Sequence, residues 1–379
     1  MSSSIPLAVV APSDAATAEP RARGVAYLTV LDGLRGLAAY IVLNGHVVVF
    51  FTLNWGPLSP DWFGHSYLAV DCFFTMSGFV MAHAFDDKLK AGMTVRDFAL
   101  HRFLRLYPLI LVGVVLGAVS LIGFALMTPG VPLLATLDAI VSGALLLPTE
   151  AMARFKAYDF PVNIAFWSLS YEVILCCGYA VVARFLTGWR MIGALAVAAL
   201  GVACLAGRKE GLDIGFRLGE FGPAFGRVVY PFLMGIFLRR LPSFAPQRAQ
   251  YGYLAIPLLL VLLVNPFPAT GGYDLLASLV VIPLLVWLAA SAREMPALDR
   301  FAASAGALSY PLYALHFPLV VILSNLDKKL GLDEGQTRML AIGCIVICLS
   351  VATLTYTLYD QPVRAWLRKR LPFSSPKWA

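Results

Sequence analysis

LDGLRGLAAYIVLNGHVVVFF, residues 31–51, decides how the chain is read. The stretch has the apolar length of a bilayer-crossing helix, about 20 residues, yet it carries Asp32, Arg35, Asn44 and His46. Arg35 and His46 stand eleven residues apart. That is close to three turns at about 3.6 residues each, so both side chains leave one face of a helix, with Asp32 beside Arg35. A rise of about 1.5 Å per residue separates them axially by roughly 16 Å, about half of a bilayer core of some 30 Å. Arg35 therefore belongs near one interface and His46 beyond the midplane. Two readings of the stripe stand. In one, Arg35 reaches back to the interface and pairs with Asp32, while His46 bonds a neighbouring helix. In the other the stripe faces a cavity, and Gly36 and Ala39 on the same face leave room for a ligand or a neighbouring backbone. A charged group in a span costs about 2.5–3.5 kcal/mol on the insertion scale, so an aligned set is costly unless it is used. A neutral imidazole in such a cavity can take a proton from a hydroxyl or attack a carbonyl itself, which makes His46 the expected catalytic residue.

Outward from this segment the same composition continues. The 379 residues are 59% hydrophobic and 13% charged, against about 45–50% and 25% in soluble domains. The fold class is all-α, a polytopic membrane protein with spans near 31–53, 66–84, 106–127, 164–186, 190–207, 225–241, 251–265, 274–292, 308–325 and 337–359. The net charge of +7 is to be sorted by side of the membrane before nucleic acid is considered. With both termini cytoplasmic, most of the 29 Lys and Arg fall inside, among them Lys88, Lys90, Arg96, Arg239 and Arg240, and no nucleic-acid partner is expected. LLATLDAIVSGALLLP, residues 133–148, fits that charge bias as a re-entrant helix; an eleven-crossing count is the alternative. Residues 1–24, rich in Ser, Ala and Pro, are expected as a disordered tail without the charged start of a signal peptide. Residues 25–365 form one membrane domain, and 366–379 a basic cytoplasmic tail. The six cysteines all fall in apolar segments and no metal spacing completes itself, so neither a disulfide framework nor a metal site is expected.

Further polar groups sit where apolar residues would be cheaper. HRFLRLYP, residues 101–108, sets Arg102 and Arg105 three apart at the start of the third span. They read either as positive-inside anchors or as a clamp for phosphate oxygens. FWSLSYEVILCC, residues 166–177, carries Glu172 into the fourth span, where His46, Arg227 or a structural hydrogen bond is its expected partner. SYPLYALHFPL, residues 309–319, brings Tyr310, Tyr313 and a second histidine, His316, to mid-span in supporting roles. AVDCFFTMSGF, residues 69–79, places Asp71 near the outer end of the second span and reads Ser77 and Gly78 as helix packing.

Taken in order, LDGLRGLAAYIVLNGH, VDCFFTMSGF, RFLR followed by LYP, FWSLSYE and SYPLYALH resemble successive blocks of membrane acyltransferase family 3, whose first helix carries an Arg, ten residues and a His. The resemblance runs along most of the chain. It implies a ten-helix fold in the inner membrane and a donor, acyl-CoA, that enters from the cytoplasm without any permanently bound cofactor. It also implies Arg102 and Arg105 near the CoA phosphates, with Arg35 further in, and a carbohydrate or glycolipid hydroxyl as acceptor. His46 is then base or acyl carrier, Glu172 raises its basicity, and Tyr310 or Tyr313 bonds the acceptor or the oxyanion. Asp32, Asp71 and His316 support. A sugar exporter or proton-coupled transporter is the other reading, because intramembrane His and Glu also suit proton relays.

Overall fold

The computed structural model describes residues 28–51, 60–208, 211–241, 250–265, 267, 270–292 and 295–374. The expected tail over residues 1–24 and the end of the basic tail lie outside them. Eleven helices fill the described residues: α1 Thr29–Phe51, α2 Ala69–Lys90, α3 Val95–Met127, α4 Leu133–Ala144, α5 Phe166–Val182, α6 Gly188–Ala206, α7 Phe221–Arg240, α8 Ala255–Leu263, α9 Gly271–Ala290, α10 Pro296–Leu330 and α11 Glu334–Arg368. Eight of them are long and apolar enough to cross a membrane, and the chain is a multi-pass membrane protein. Three are shorter: α4, α5 and α8. At 12 residues, α4 spans only about 18 Å and packs along α3.

Helix ends differ from the hydropathy reading where capping, not apolarity, sets them. Thr94 accepts the backbone N–H of Asp97 at 3.1 Å and starts α3 eleven residues before the apolar run expected from 106. The helix therefore has 33 residues, about 50 Å, and HRFLRLYP lies inside it rather than at its N-terminus. At the other end of the chain, α10 stops at Gly331, whose φ of 61° suits the left-handed conformation a glycine adopts freely. Asp333 and Gln336 then form a reciprocal capping box that opens α11.

The small residues of the opening stretch bring backbones together. A Cβ on Gly36 would lie 2.5 Å from that of Ala305, and one on Gly306 would lie 2.3 Å from that of Asp32, so α1 packs directly on α10. Of the two uses for space at Gly36, the neighbouring backbone has taken it. Helices α2 and α7 meet in the same way: a Cβ on Gly78 would fall 1.9 Å from the Phe232 carbonyl oxygen, and one on Gly235 would fall 2.0 Å from that of Thr75. The packing role expected of Gly78 holds.

Candidate active site

Three cavities adjoin in series along α1. At the Arg35 end is a vestibule of about 440 Å³ whose lining includes Asp32, Arg35, Arg105, Asp360 and Arg364. It shares Arg35, Arg105, Met76, Val80 and Tyr310 with a narrower middle cavity of about 110 Å³. Phe73, Phe74, Met81 and Leu169 make most of that middle wall apolar. Beyond it, with Val70 and Tyr313 as common wall, lies a cavity of about 420 Å³ that contains His46.

The protonation of His46 follows from its neighbours. His316 turns Nδ1 to the carbonyls of Leu312 at 3.0 Å and Tyr313 at 2.9 Å. Carbonyls only accept, so this nitrogen holds the proton and His316 Nε2 carries a lone pair. That lone pair lies 3.0 Å from His46 Nδ1, so His46 donates from Nδ1 and its own Nε2 is left bare. A histidine with Nδ1–H fixed and Nε2 free is set up as a base or nucleophile.

Arg35 shares the face of α1 turned to α10, as the helical spacing required. Its Nε donates to Ser309 Oγ at 3.0 Å and its Nη2 to the Gly306 carbonyl at 3.1 Å, and Asp32 pairs with it at 3.0 Å. Local pairing and a place on the cavity wall are thus both true of Arg35.

Glu172 does not meet His46 or Arg227. It forms an ion pair with the buried Arg102 and accepts from Ser77 Oγ at 2.8 Å. This corrects the expected orienting role: His316 occupies the place beside His46, and Glu172 holds Arg102 instead. Ser77, expected to serve packing, lines the middle cavity and helps hold that carboxylate. Arg105 differs from Arg102. Its side chain is exposed, lines both the vestibule and the middle cavity, and makes no hydrogen bond or ion pair to another described residue.

Asp71 is buried and committed to Arg227 Nη2 at 2.7 Å and to Ser278 Oγ at 2.8 Å, contacts that brace the helices around the site. The remaining Arg227 donors go to the carbonyls of Tyr67 at 2.6 Å and Ile214 at 3.0 Å, which ties the 211–220 loop over the His46 cavity. Tyr310 donates to the Leu106 carbonyl at 2.6 Å. Tyr313 lies 2.6 Å from Ser168 Oγ, and since Ser168 donates to the Ala165 carbonyl at 3.0 Å, the Tyr313 proton goes to Ser168. Both tyrosine hydroxyls are therefore engaged inside the protein, and their place is on the cavity walls.

Sequence reasoning missed several lining residues. Trp167, Asp213 and Arg217 line the His46 cavity, and Asp360 and Arg364 line the vestibule. Partial burial works against the charge of Arg217, but Asp213 at 3.1 Å and Glu220 at 3.2 Å outweigh it and hold the guanidinium above its ordinary value. The signal available for Asp360 and Arg364 was their i,i+4 spacing at the end of an apolar run; loop residues such as Asp213 offered none.

A family model described as an acyltransferase domain matches residues 28–357. Protein 2 in the picA locus of Rhizobium radiobacter is 38% identical over 161 residues, which cover 40% of this chain and 80% of that protein. No solved structure matches the chain.

Proposed function

Starting from the chain's membership of acyltransferase family 3, which makes it a membrane acyltransferase, we propose that it moves an acyl group, acetyl in the first instance, from acyl-CoA to a hydroxyl of a cell-envelope carbohydrate or glycolipid. The observation that carries the reading is the bare Nε2 of His46 in a cavity that adjoins, through a narrow apolar neck, a vestibule bearing an uncommitted arginine. The proposed topology has ten crossings in the inner membrane, both termini and the vestibule cytoplasmic, and α4 re-entrant. Phosphates of the donor meet Arg105, with Arg35 deeper, and the slim pantetheine arm occupies the apolar neck. The acceptor sits in the His46 cavity, whose volume of about 420 Å³ falls in the usual range of ligand sites, about 300–1,000 Å³. Trp167 supplies a flat apolar face there, and Asp213 and Arg217 supply polar ones.

In the reaction His46 Nε2 takes the hydroxyl proton as the oxygen attacks the thioester carbon. The carbon–sulfur bond then breaks and the thiolate recovers the proton from the imidazolium, giving free CoA thiol and an ester. His316 keeps the imidazolium oriented through the Nδ1–H bond. Direct transfer is preferred because the cavity has room for the acceptor beside His46. The exporter reading recedes with the family assignment, and an arginine reserved for phosphates gives it no advantage.

The test is label transfer from radiolabelled acetyl-CoA to envelope extract by purified protein. His46→Ala is expected to lower transfer by at least about a hundredfold, the scale of general-base catalysis. Equal transfer by both proteins removes His46 from the mechanism.

A further inference from the structure

Asp360 ends a wide turn, Tyr356–Asp360, inside α11; turns of this kind are rare and gather at functional sites. Its side chain is buried, at 1% exposure. One carboxylate oxygen, Oδ2, is held by Arg364. The other, Oδ1, has no hydrogen-bond partner among the described residues, although the residue lines the vestibule beside Arg35, Arg105 and Arg364. A buried carboxylate oxygen left unpaired is costly, which is why such groups are nearly always satisfied. An unpaired acceptor in this wall can be satisfied by an N–H or O–H of a molecule that enters the vestibule.

We propose that Asp360 Oδ1 binds the nucleotide end of the donor, accepting from a ribose hydroxyl or the adenine amine; the inference rests on the donor reading above. Phosphate oxygens cannot be its partner, because they only accept at neutral pH and carry the same sign of charge. Arg105 takes those. The pantetheine arm is drawn the other way, into the apolar neck, if its thioester is to reach His46. What remains in the vestibule beside the phosphates is the nucleoside, whose hydroxyls and exocyclic amine are the donors to hand. Arg364 offsets the Asp360 charge, so the carboxylate can stand beside phosphates without repelling them.

The test compares full-length wild type with Asp360→Asn, using acetyl-CoA and acetyl-pantetheine as alternative donors. Asn keeps an oxygen for Arg364 and sets an NH₂ where Oδ1 was, opposing donor to donor. The KM for acetyl-CoA is expected to rise about tenfold or more, the scale of a lost hydrogen bond to a charged group, with kcat within about twofold. The KM for acetyl-pantetheine is expected to stay unchanged, which also reports that the variant is folded. Asp360→Glu, which keeps the charge and displaces the oxygen, is expected to weaken acetyl-CoA alone in the same way. Loss of a negative charge by itself would tighten an anion, so the direction of the Asn effect is informative. An unchanged or lowered KM for acetyl-CoA, or an equal rise for both donors, overturns the proposal. Failure of wild type to use either donor removes the donor reading itself.

Discussion

The lone pair on His46 Nε2 depends on a residue 270 positions away in sequence. His316 accepts the Nδ1 proton, and two backbone carbonyls hold His316 in the form able to do so. His316→Phe is accordingly expected to lower kcat about tenfold or more with KM for donor little changed, while His316→Gln, whose amide oxygen can accept, retains more of the rate; equal losses in the two variants would assign His316 to packing alone. Arg105→Gln is expected to act on the donor instead, raising its KM and weakening the salt dependence of binding. His46 and Arg35 were legible as a pair because both lie on one helix, where periodicity alone places side chains. The partner of Glu172 was not. Arg102 is 70 residues from it, and which of several buried cations meets an acid within a span is set by how helices dock.

Helices carry these groups only if their contacts hold. Glu172→Ala would leave Arg102 buried and unpaired, at a cost of about 3–5 kcal/mol. It should appear as a clear fall in the thermal midpoint in detergent, with much of it recovered when Arg102→Met is added; no recovery would mean the ion pair is not what Glu172 contributes. The contact between α2 and α7 has less tolerance still. Gly78→Ala places a methyl against the Phe232 carbonyl, and overpacking of this kind costs about 1–3 kcal/mol, measured in the same melting experiment. At this scale hydropathy anticipated a helix at each expected span, of which those at 164–186 and 251–265 prove shorter than a crossing helix, and it misplaced the start of α3, because an apolar average cannot see a Thr94 cap joining a polar turn to the span behind it. The charge bias had set residues 133–148 apart from the other apolar stretches, and the helix that forms there, α4, has only 12 residues.

Across the whole molecule the arrangement is a wide basic vestibule, a narrow apolar neck and a second wide cavity around His46. None of this was legible in the sequence beyond the polar stripe that runs beside it, because cavity walls are assembled from α1, α2, α3, α5, α10 and α11 together with the 211–220 loop. A donor and an acceptor held in chambers that meet at one imidazole would let an acyl group pass between compartments without the donor leaving its own. The most direct measurement uses proteoliposomes with labelled acetyl-CoA on the vestibule side and acceptor on the other. Wild type should release CoA thiol on the donor side and place label on the acceptor side, and His46→Ala should do neither. Label transfer that requires donor and acceptor on the same side, or that His46→Ala performs as well as wild type, would contradict the account.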